Sequence, residues 1–506
     1  MRRIHKKMKR SLFGNDGFGV RPVTFDLCLI TISLISILAI FGCAAVGPDY
    51  QPPEISASGT WNNAEAGGLN QDPINPGTLA DWWKTFDDDA LTILMNRAVE
   101  NNPDLNIARA RIREARARRG LARSSLFPFV DSFGEASENR SSENVGAGTE
   151  NELYTLGFDS GWELDIFGGI RRSVESADAL LGAAREELHV ILVSLLAETA
   201  LNYVEVRTFQ ARLAVAEANI KTQEETYGLI RSRFNAGLSD ELPVQQALYN
   251  LENSKSQLPT LRAGLEASNN RLAVLLGEPP GALKQLLENR KPIPQTPITV
   301  AVGIPAETLR HRPDVRQAER ILASRTAEIG AATAELYPGF GISGIIGLQS
   351  ISAGDLLNWG SRNWKIGPGV NWNVFDAGAI RKNIDIRQAQ RDQALIRYES
   401  TILNALEEVE NALKSYAEEQ LRRKSLSEAT DAARKAVQLA QDRYTAGLVD
   451  FSNVLDAQRS LLSFQDQLAQ SEGAVTANLV RMYKAFGGGW NYGQSPMKTS
   501  CAEVEN

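Results

Sequence analysis

The sequence predicts an α+β membrane protein made of two copies of one unit, in which long helices alternate with pairs of strands. Three observations carry that prediction: a constant internal offset, two stretches of period-two alternation, and helical runs far longer than a globular domain needs. The offset is 210 residues. It maps Pro103-Asp104 onto Pro313-Asp314, Leu126-Phe127-Pro128 onto Leu336-Tyr337-Pro338, and Trp162 onto Trp372. It also maps the run Arg233 to Leu238 onto Arg443 to Leu448, and Leu276-Gly277 onto Phe486-Gly487. A shift held over that distance marks an internal repeat. A small compensated gap lies near Phe167 and Phe375.

The chain starts with six Lys/Arg in its first ten residues, followed by an almost wholly apolar stretch from Phe25 to Gly42 that ends at Cys43. This pattern reads as a signal peptide over 1–42. Ile40-Phe41-Gly42-Cys43 is similar to a bacterial lipobox, in which the cysteine becomes the acylated (palmitate-type) first residue of the mature chain. Phe41 is larger than the residue usual at its position. The competing reading is a single membrane anchor, because roughly 18 apolar residues are near the minimum for a span. Residues 1–42 carry seven Lys/Arg against two Asp, so the remainder stands five charges below the −7 of the whole chain, at −12. An acidic exported chain does not attract phosphate backbones, which excludes nucleic-acid binding as its work. Cys43 and Cys501 are its only cysteines, and with Cys43 committed to lipid no internal disulfide is expected.

Within each copy the elements follow in order. Residues 103–126 and 313–336 are rich in Ala, Arg, Glu and Leu and open with Pro at the first turn, where its missing N–H costs nothing. Pro128 and Pro338 end these helices. Strands are then expected at 127–140, 153–165, 339–349 and 363–374. In the second of these, Tyr154, Leu156, Phe158, Trp162 and Leu164 alternate with Thr155, Gly157, Asp159, Gly161 and Glu163. In the fourth, Trp364, Ile366, Val370, Trp372 and Val374 alternate with polar and small residues. Alternation alone fits a soluble half-buried sheet as well as a membrane barrel. Length of about 12 residues and Trp residues suited to an aromatic girdle point to the membrane.

Helices of about 66 residues are expected at 171–236 and 381–446, each reaching ~100 Å at ~1.5 Å per residue. Gly237 and Gly447 stop them as left-handed C-cap residues. Return helices run over 240–276 and 450–486 with Asp240 and Asp450 placed to cap them. A return helix and the shorter first helix together match the long one, so they are expected to stack end to end beside it. Two copies supply four strands, too few to close a barrel, and open edges are not tolerated in lipid. The barrel is therefore shared between chains, and periodicity alone leaves 8, 12 or 16 strands open.

This pattern resembles the TolC-like outer-membrane factor family, over roughly residues 44–490. The specific elements are the lipidated start, Gly47-Pro48-Asp49-Tyr50, Trp82-Trp83 before Phe86-Asp87-Asp88, the paired Leu-aromatic-Pro corners, and Arg443-Tyr444-Thr445-Ala446-Gly447-Leu448 leading into Val454-Leu455-Asp456-Ala457-Gln458. The resemblance implies a homotrimer: a 12-stranded outer-membrane β-barrel continued by a long periplasmic α-helical barrel, lipid-anchored in the outer membrane. It implies a passive gated conduit that takes drugs, metals or other small toxic compounds from an inner-membrane pump through a periplasmic adaptor. Export of proteins by a type I system is the alternative, and a coiled-coil or adhesin surface protein a more distant one. The domains are then the signal peptide 1–42, a lipidated segment 43–102, repeats 103–300 and 301–487, and a tail 488–506, with a mixed equatorial layer from 44–87, 277–312 and 487–506.

By position in the family motif, Asp456 falls where a ring of carboxylates narrows the periplasmic end, with Asn453 and Ser452 beside it. Asn453 stands where some members are acidic. Without the family, Asp456 reads as a solvated carboxylate favoured early in a helix by the dipole. The turns Gly237-Leu238 and Gly447-Leu448 match those that the family presents to the adaptor. No catalytic residue, cofactor or metal is expected: His5, His189 and His311 sit in no motif with a nucleophile, and Gly487-Gly488-Gly489 follows a helix instead of opening one. Adjacent acids such as Asp87-Asp88-Asp89 and Glu407-Glu408 read as solvated faces or helix ends.

Overall fold

A computed structural model describes residues 45–54, 60–62, 69–70, 72, 75–295, 300–303 and 305–491. The signal peptide, Cys43, Cys501 and all but the first residues of the expected tail lie outside them. The elements in chain order are β1 (Leu69–Asn70), α1 (Pro76–Ala80), α2 (Asp89–Asn101), α3 (Pro103–Ser124), β2 (Phe129–Arg140), β3 (Glu150–Leu164), α4 (Gly169–Asn235), α5 (Glu241–Leu275) and α6 (Lys284–Leu287). There follow β4 (Val300–Ala301), α7 (Pro305–His311), α8 (Pro313–Ala334), β5 (Gly339–Ser350), β6 (Arg362–Asn371), α9 (Ala379–Thr445) and α10 (Phe451–Ala485). Element boundaries fall within about three residues of the expected ones. The fourth strand is the exception in kind: it stops at Asn371, leaving Trp372 and Val374 beyond the sheet.

The two copies fold alike, down to their ties. Trp162 donates its indole N–H to the Leu126 carbonyl at 2.9 Å, and Trp372 donates to Leu336 at 3.2 Å. These tryptophans, expected as girdle residues, thus also pin each strand end to its helix corner. Each long helix is opened by an aspartate. Asp165 accepts from the N–H groups of Ile170 and Arg171 at 3.0 and 2.8 Å, and Asp376 from Gly378 and Ile380 at 2.8 and 2.6 Å. Those backbone bonds hold the Asp376 carboxyl below its ordinary value. At the other end of α3, Asn102 donates to the Leu275 carbonyl at 2.9 Å, and in the second copy Arg312 donates to Ala485 at 2.5 Å. The return helix therefore ends against the start of the short helix, and the pair runs beside the 67-residue α4 or α9.

Asp240 and Asp450 occupy the N-cap positions of α5 and α10, but neither side chain makes a capping bond. Their expected capping role is thus met in position only. Asp88 is a true cap, accepting from Ala90 and Leu91 N–H at 2.9 and 3.3 Å.

The main core lies at the equator, where Trp82, Trp83, Leu91, Leu94 and Met95 pack with Leu196, Tyr203, Leu272, Leu479 and Phe486. Trp82 stacks on Tyr483 at 5.4 Å. Arg207 is fully buried there and is met by Tyr203 Oη at 3.0 Å, Gln210 Oε1 at 2.7 Å and the Asn289 carbonyl at 2.9 Å. Tyr203 in turn donates to Asp88 at 2.5 Å, and burial together with that carboxylate pushes its phenol up. This chain binds the long helix to the equatorial segments on either side of it. A parallel pair, Leu69 with Val300 and Asn70 with Ala301, completes the layer.

Candidate outer-membrane conduit

The four long strands form one antiparallel sheet in the order β2-β3-β5-β6. The two copies meet at β3 and β5, where Trp162 pairs with Ile342 and Phe158 with Ile346. In-register partners share a face. One face therefore carries Leu156, Phe158, Trp162, Ile342, Ile346, Leu348, Trp364, Ile366 and Val370; the other carries Asp131, Glu135, Thr155, Asp159, Glu163, Ser343, Asn363 and Lys365. The apolar face is uncovered, with Trp364 at 75% and Ile366 at 69% exposure. A contiguous patch of this kind marks a surface meant for lipid or a partner. No described helix is long and apolar enough to cross a membrane.

Most glycines of the sheet sit on the polar face, and three of them, Gly157, Gly161 and Gly347, are there for space. A Cβ on Gly157 would stand 2.7 Å from the Ile346 carbonyl oxygen, and one on its partner Gly347 would stand 2.6 Å from that of Leu156. Two aromatics depart from the alternation: Phe129 and Phe133 lie on the polar face, over Gly161 and Gly157. Those glycines make room for the rings.

At the opposite end, both long helices close in a Schellman turn. Gly237 has φ +73° and Gly447 φ +66°, and Leu238 and Leu448 donate back to Arg233 and Arg443 at 2.8 and 2.9 Å. Nothing lies near a Cβ at either glycine, so conformation alone calls for Gly. Leu238 and Leu448 project 70% and 74% exposed. The turns are held by a small core of Ile230, Val244, Ala247, Phe451, Val454 and Leu455.

Ser452, Asn453 and Asp456 all lie on the exposed side of α10, opposite the buried Phe451, Val454 and Leu455. The spacing of three and four residues brings them onto one helical face. Asp456 pairs with Arg459 at 3.4 Å. The Arg459 guanidinium also donates to Asn250 Oδ1 at 3.0 Å and Tyr249 Oη at 3.4 Å, which links the carboxylate to the return helix α5 of the first copy. Reasoning from sequence missed this link; the only signal for it is that Tyr249 and Arg459 stand 210 residues apart and so occupy equivalent positions.

A second unforeseen feature holds the segment that follows Cys43. Arg172, 5% exposed, reaches the carbonyls of Val46, Ala45 and Gly47 at 3.2, 3.4 and 3.4 Å, and the Asp49 carboxylate at 2.7 Å. Val46 N–H donates to the Phe167 carbonyl at 3.0 Å. Gly47 presses on Gly330, where a Cβ would stand 2.4 Å from the Gly330 Cα. Residues 45–49 are thereby strapped across the junction of sheet and helices. No group of acidic, His and Cys side chains among the described residues could hold a metal ion.

The model of a family described as "Outer membrane efflux protein" matches residues 94–278 and again 304–488. The chain belongs to that family. It is an outer-membrane channel protein and not an enzyme. A solvent efflux pump outer membrane protein of Pseudomonas putida, SrpC, is 32% identical over 472 residues, covering 92% of this chain and 99% of that relative. The cation efflux system protein CusC of Escherichia coli is 28% identical over 460 residues, covering 90% and 97%. Among solved structures, the outer-membrane channel OprN superposes with a TM-score of 0.83 at 37% identity, over 88% of this chain and all of that one.

Proposed function

We propose that three copies of this chain close a 12-stranded barrel in the outer membrane, continued by a helical tunnel across the periplasm. The observation that carries this is the four-stranded sheet itself: its β2 and β6 edges have no partner within the sheet, and its apolar face is bare. In lipid each unsatisfied edge group costs several kcal/mol, so the edges must pair with those of neighbouring copies. The polar face then lines a water-filled lumen. The channel is a passive conduit, fed by an inner-membrane pump through a periplasmic adaptor that docks at Gly237-Leu238 and Gly447-Leu448. Acylation of Cys43 adds an anchor at the sheet–helix junction, to which the strap at 45–49 leads.

At the periplasmic end, three copies of Asp456 form a ring that concentrates cations and repels anions. Asn453 and Ser452 give the same face polar but neutral neighbours. The Arg459 bonds to α5 hold the ring in its narrow state. The cargo is small solutes: SrpC and CusC are named for solvent and cation efflux, which favours small compounds over secreted protein. The mass of the detergent-solubilised complex tests the assembly. Three chains are expected, and a stable monomer with an intact sheet overturns it.

A further inference from the structure

The two copies diverge where their strands turn back, at the end of the sheet away from the helices. The 210-residue offset maps Tyr154 onto Trp364 and Glu152 onto Arg362, so a carboxylate of the first copy becomes a guanidinium in the second. The first connection, 141–149, is polar, and Arg140 before it pairs with Glu150 at 3.4 Å and Glu143 at 3.7 Å. The second, 351–361, carries Ile351, Leu357 and Trp359, all strongly exposed, with Trp359 at 77%. This loop is ordered by its own bonds. Two short 3-10 turns, Ala353–Asp355 and Trp359–Ser361, are tied together at Asp355, whose carboxylate accepts from the Asn358 amide at 2.8 Å and whose carbonyl accepts from the Ser361 hydroxyl at 2.7 Å.

Arg362 begins β6 in register with Leu348, and so stands on the sheet face that carries Trp364 and Ile366. Its guanidinium carbon lies 3.2 Å from the centre of the Trp359 ring, and its Nε donates to the Trp359 carbonyl at 2.8 Å. Ring and guanidinium share one side, so the loop leans toward the lipid face of the sheet. Among the described residues no acid pairs with Arg362, and its two terminal nitrogens are free. We propose that Arg362 and Trp359 bind the phosphate headgroup of an anionic lipid, one per copy, at the outer rim of the barrel. Indole rings settle at headgroup level, and a guanidinium held flat on one offers its fork of N–H groups to a phosphate. Trp364 and Ile366 continue the site down into the apolar band that meets acyl chains. The next copy brings no competing acid. The β3–β5 register, carried by the offset to β6 and the next β2, sets Ser142 of the partner subunit opposite Arg362 and Arg140 of the partner subunit opposite Trp364. Glu138 of the partner subunit falls opposite Ile366, which is four residues or ~13 Å along the strand from Arg362. The site rests on the lipid-facing sheet of the proposed barrel and is independent of the gate.

Two measurements on the full-length protein, reconstituted in vesicles of phosphatidylcholine and phosphatidylglycerol, test it. Native mass spectrometry after extraction is expected to find phosphatidylglycerol retained in preference to phosphatidylcholine, at up to three per trimer. Arg362→Met keeps the stem and should weaken that retention about fivefold or more, the factor one arginine contributes near an anionic surface, while Arg362→Lys should restore it in part. The emission removed by Trp359→Phe should be quenched by lipids brominated high on the acyl chain and shielded from acrylamide in the water. Equal retention by the parent and Arg362→Met, or Trp359 emission that only acrylamide quenches, overturns the proposal. Loss of the lipid to millimolar inorganic phosphate overturns the lipid assignment in favour of a free anion. The mass also reads the assembly: a trimer that retains no phosphatidylglycerol overturns this site and leaves the barrel standing, whereas a monomer overturns the barrel and this site with it.

Discussion

Replacing Arg172 by methionine keeps the apolar stem of the side chain and removes the head group that holds residues 45–49. The loss can be worked from its contacts. The Asp49 carboxylate is 85% exposed, so that ion pair contributes at most ~1 kcal/mol. The three carbonyl bonds are long, at 3.2 to 3.4 Å, and together they contribute about 2 kcal/mol in charge-assisted terms discounted for geometry. The strap should therefore lose about 3 kcal/mol, or roughly a hundredfold in its docked population. The Arg172→Met substitution leaves no buried unpaired charge, since its two carboxylate partners, Asp49 and Glu175 at 2.7 and 2.8 Å, are 85% and 44% exposed and turn to solvent. The assay is hydrogen exchange at the Val46 amide, which is protected by its bond to the Phe167 carbonyl. Its exchange should rise by about that factor while amides in the middle of α4 stay protected. Unchanged protection at Val46 would refute this reasoning and show that the Gly47–Gly330 contact holds the strap without the guanidinium.

The other predictions concern the anchor, the sheet, the tip and the ring. Cys43→Ser should abolish incorporation of a fatty-acid probe, and persistent labelling contradicts acylation there. Gly347→Val places a Cβ against the Leu156 carbonyl oxygen, so trimer yield in detergent should fall steeply, and normal yield would show that the sheet can open to admit it. Gly447→Ala forces a side chain into φ +66° at a cost of about 1 kcal/mol, with reduced adaptor capture; a β-branched Val there should be worse, and equal capture by all three refutes the role of the turn. Asp456→Ala should weaken cation selectivity and multivalent block in single-channel recordings. Asp450→Ala, whose side chain makes no capping bond, serves as the silent control, and equal effects from both would return Asp456 to a solvated carboxylate.

What the sequence determined by itself is whatever is local or repeated. Strand and helix bounds follow from periods of 2 and 3.6 along one segment, and Gly237 and Gly447 declare their left-handed turns because only Gly adopts them freely. The 210-residue offset carries the pseudo-symmetry directly, and the shortage of strands carries the need for partners. The tertiary structure decided the rest, because those features join residues far apart in the chain through groups with no fixed sequence signature. Pairing of β3 with β5 brings Trp162 to Ile342, and no pattern within either strand specifies that neighbour. Arg172 carries no signal in the sequence; the approach of residues 45–49 and the packing of its stem on Gly330 of α8 bury it. Asp456 looks alike in both views as an exposed acid on an early turn, but its tie through Arg459 to Asn250 exists only because α10 lies against α5. Composition sets which hydrogen-bonding groups a helix offers, and the packing of helices sets which of them meet a partner.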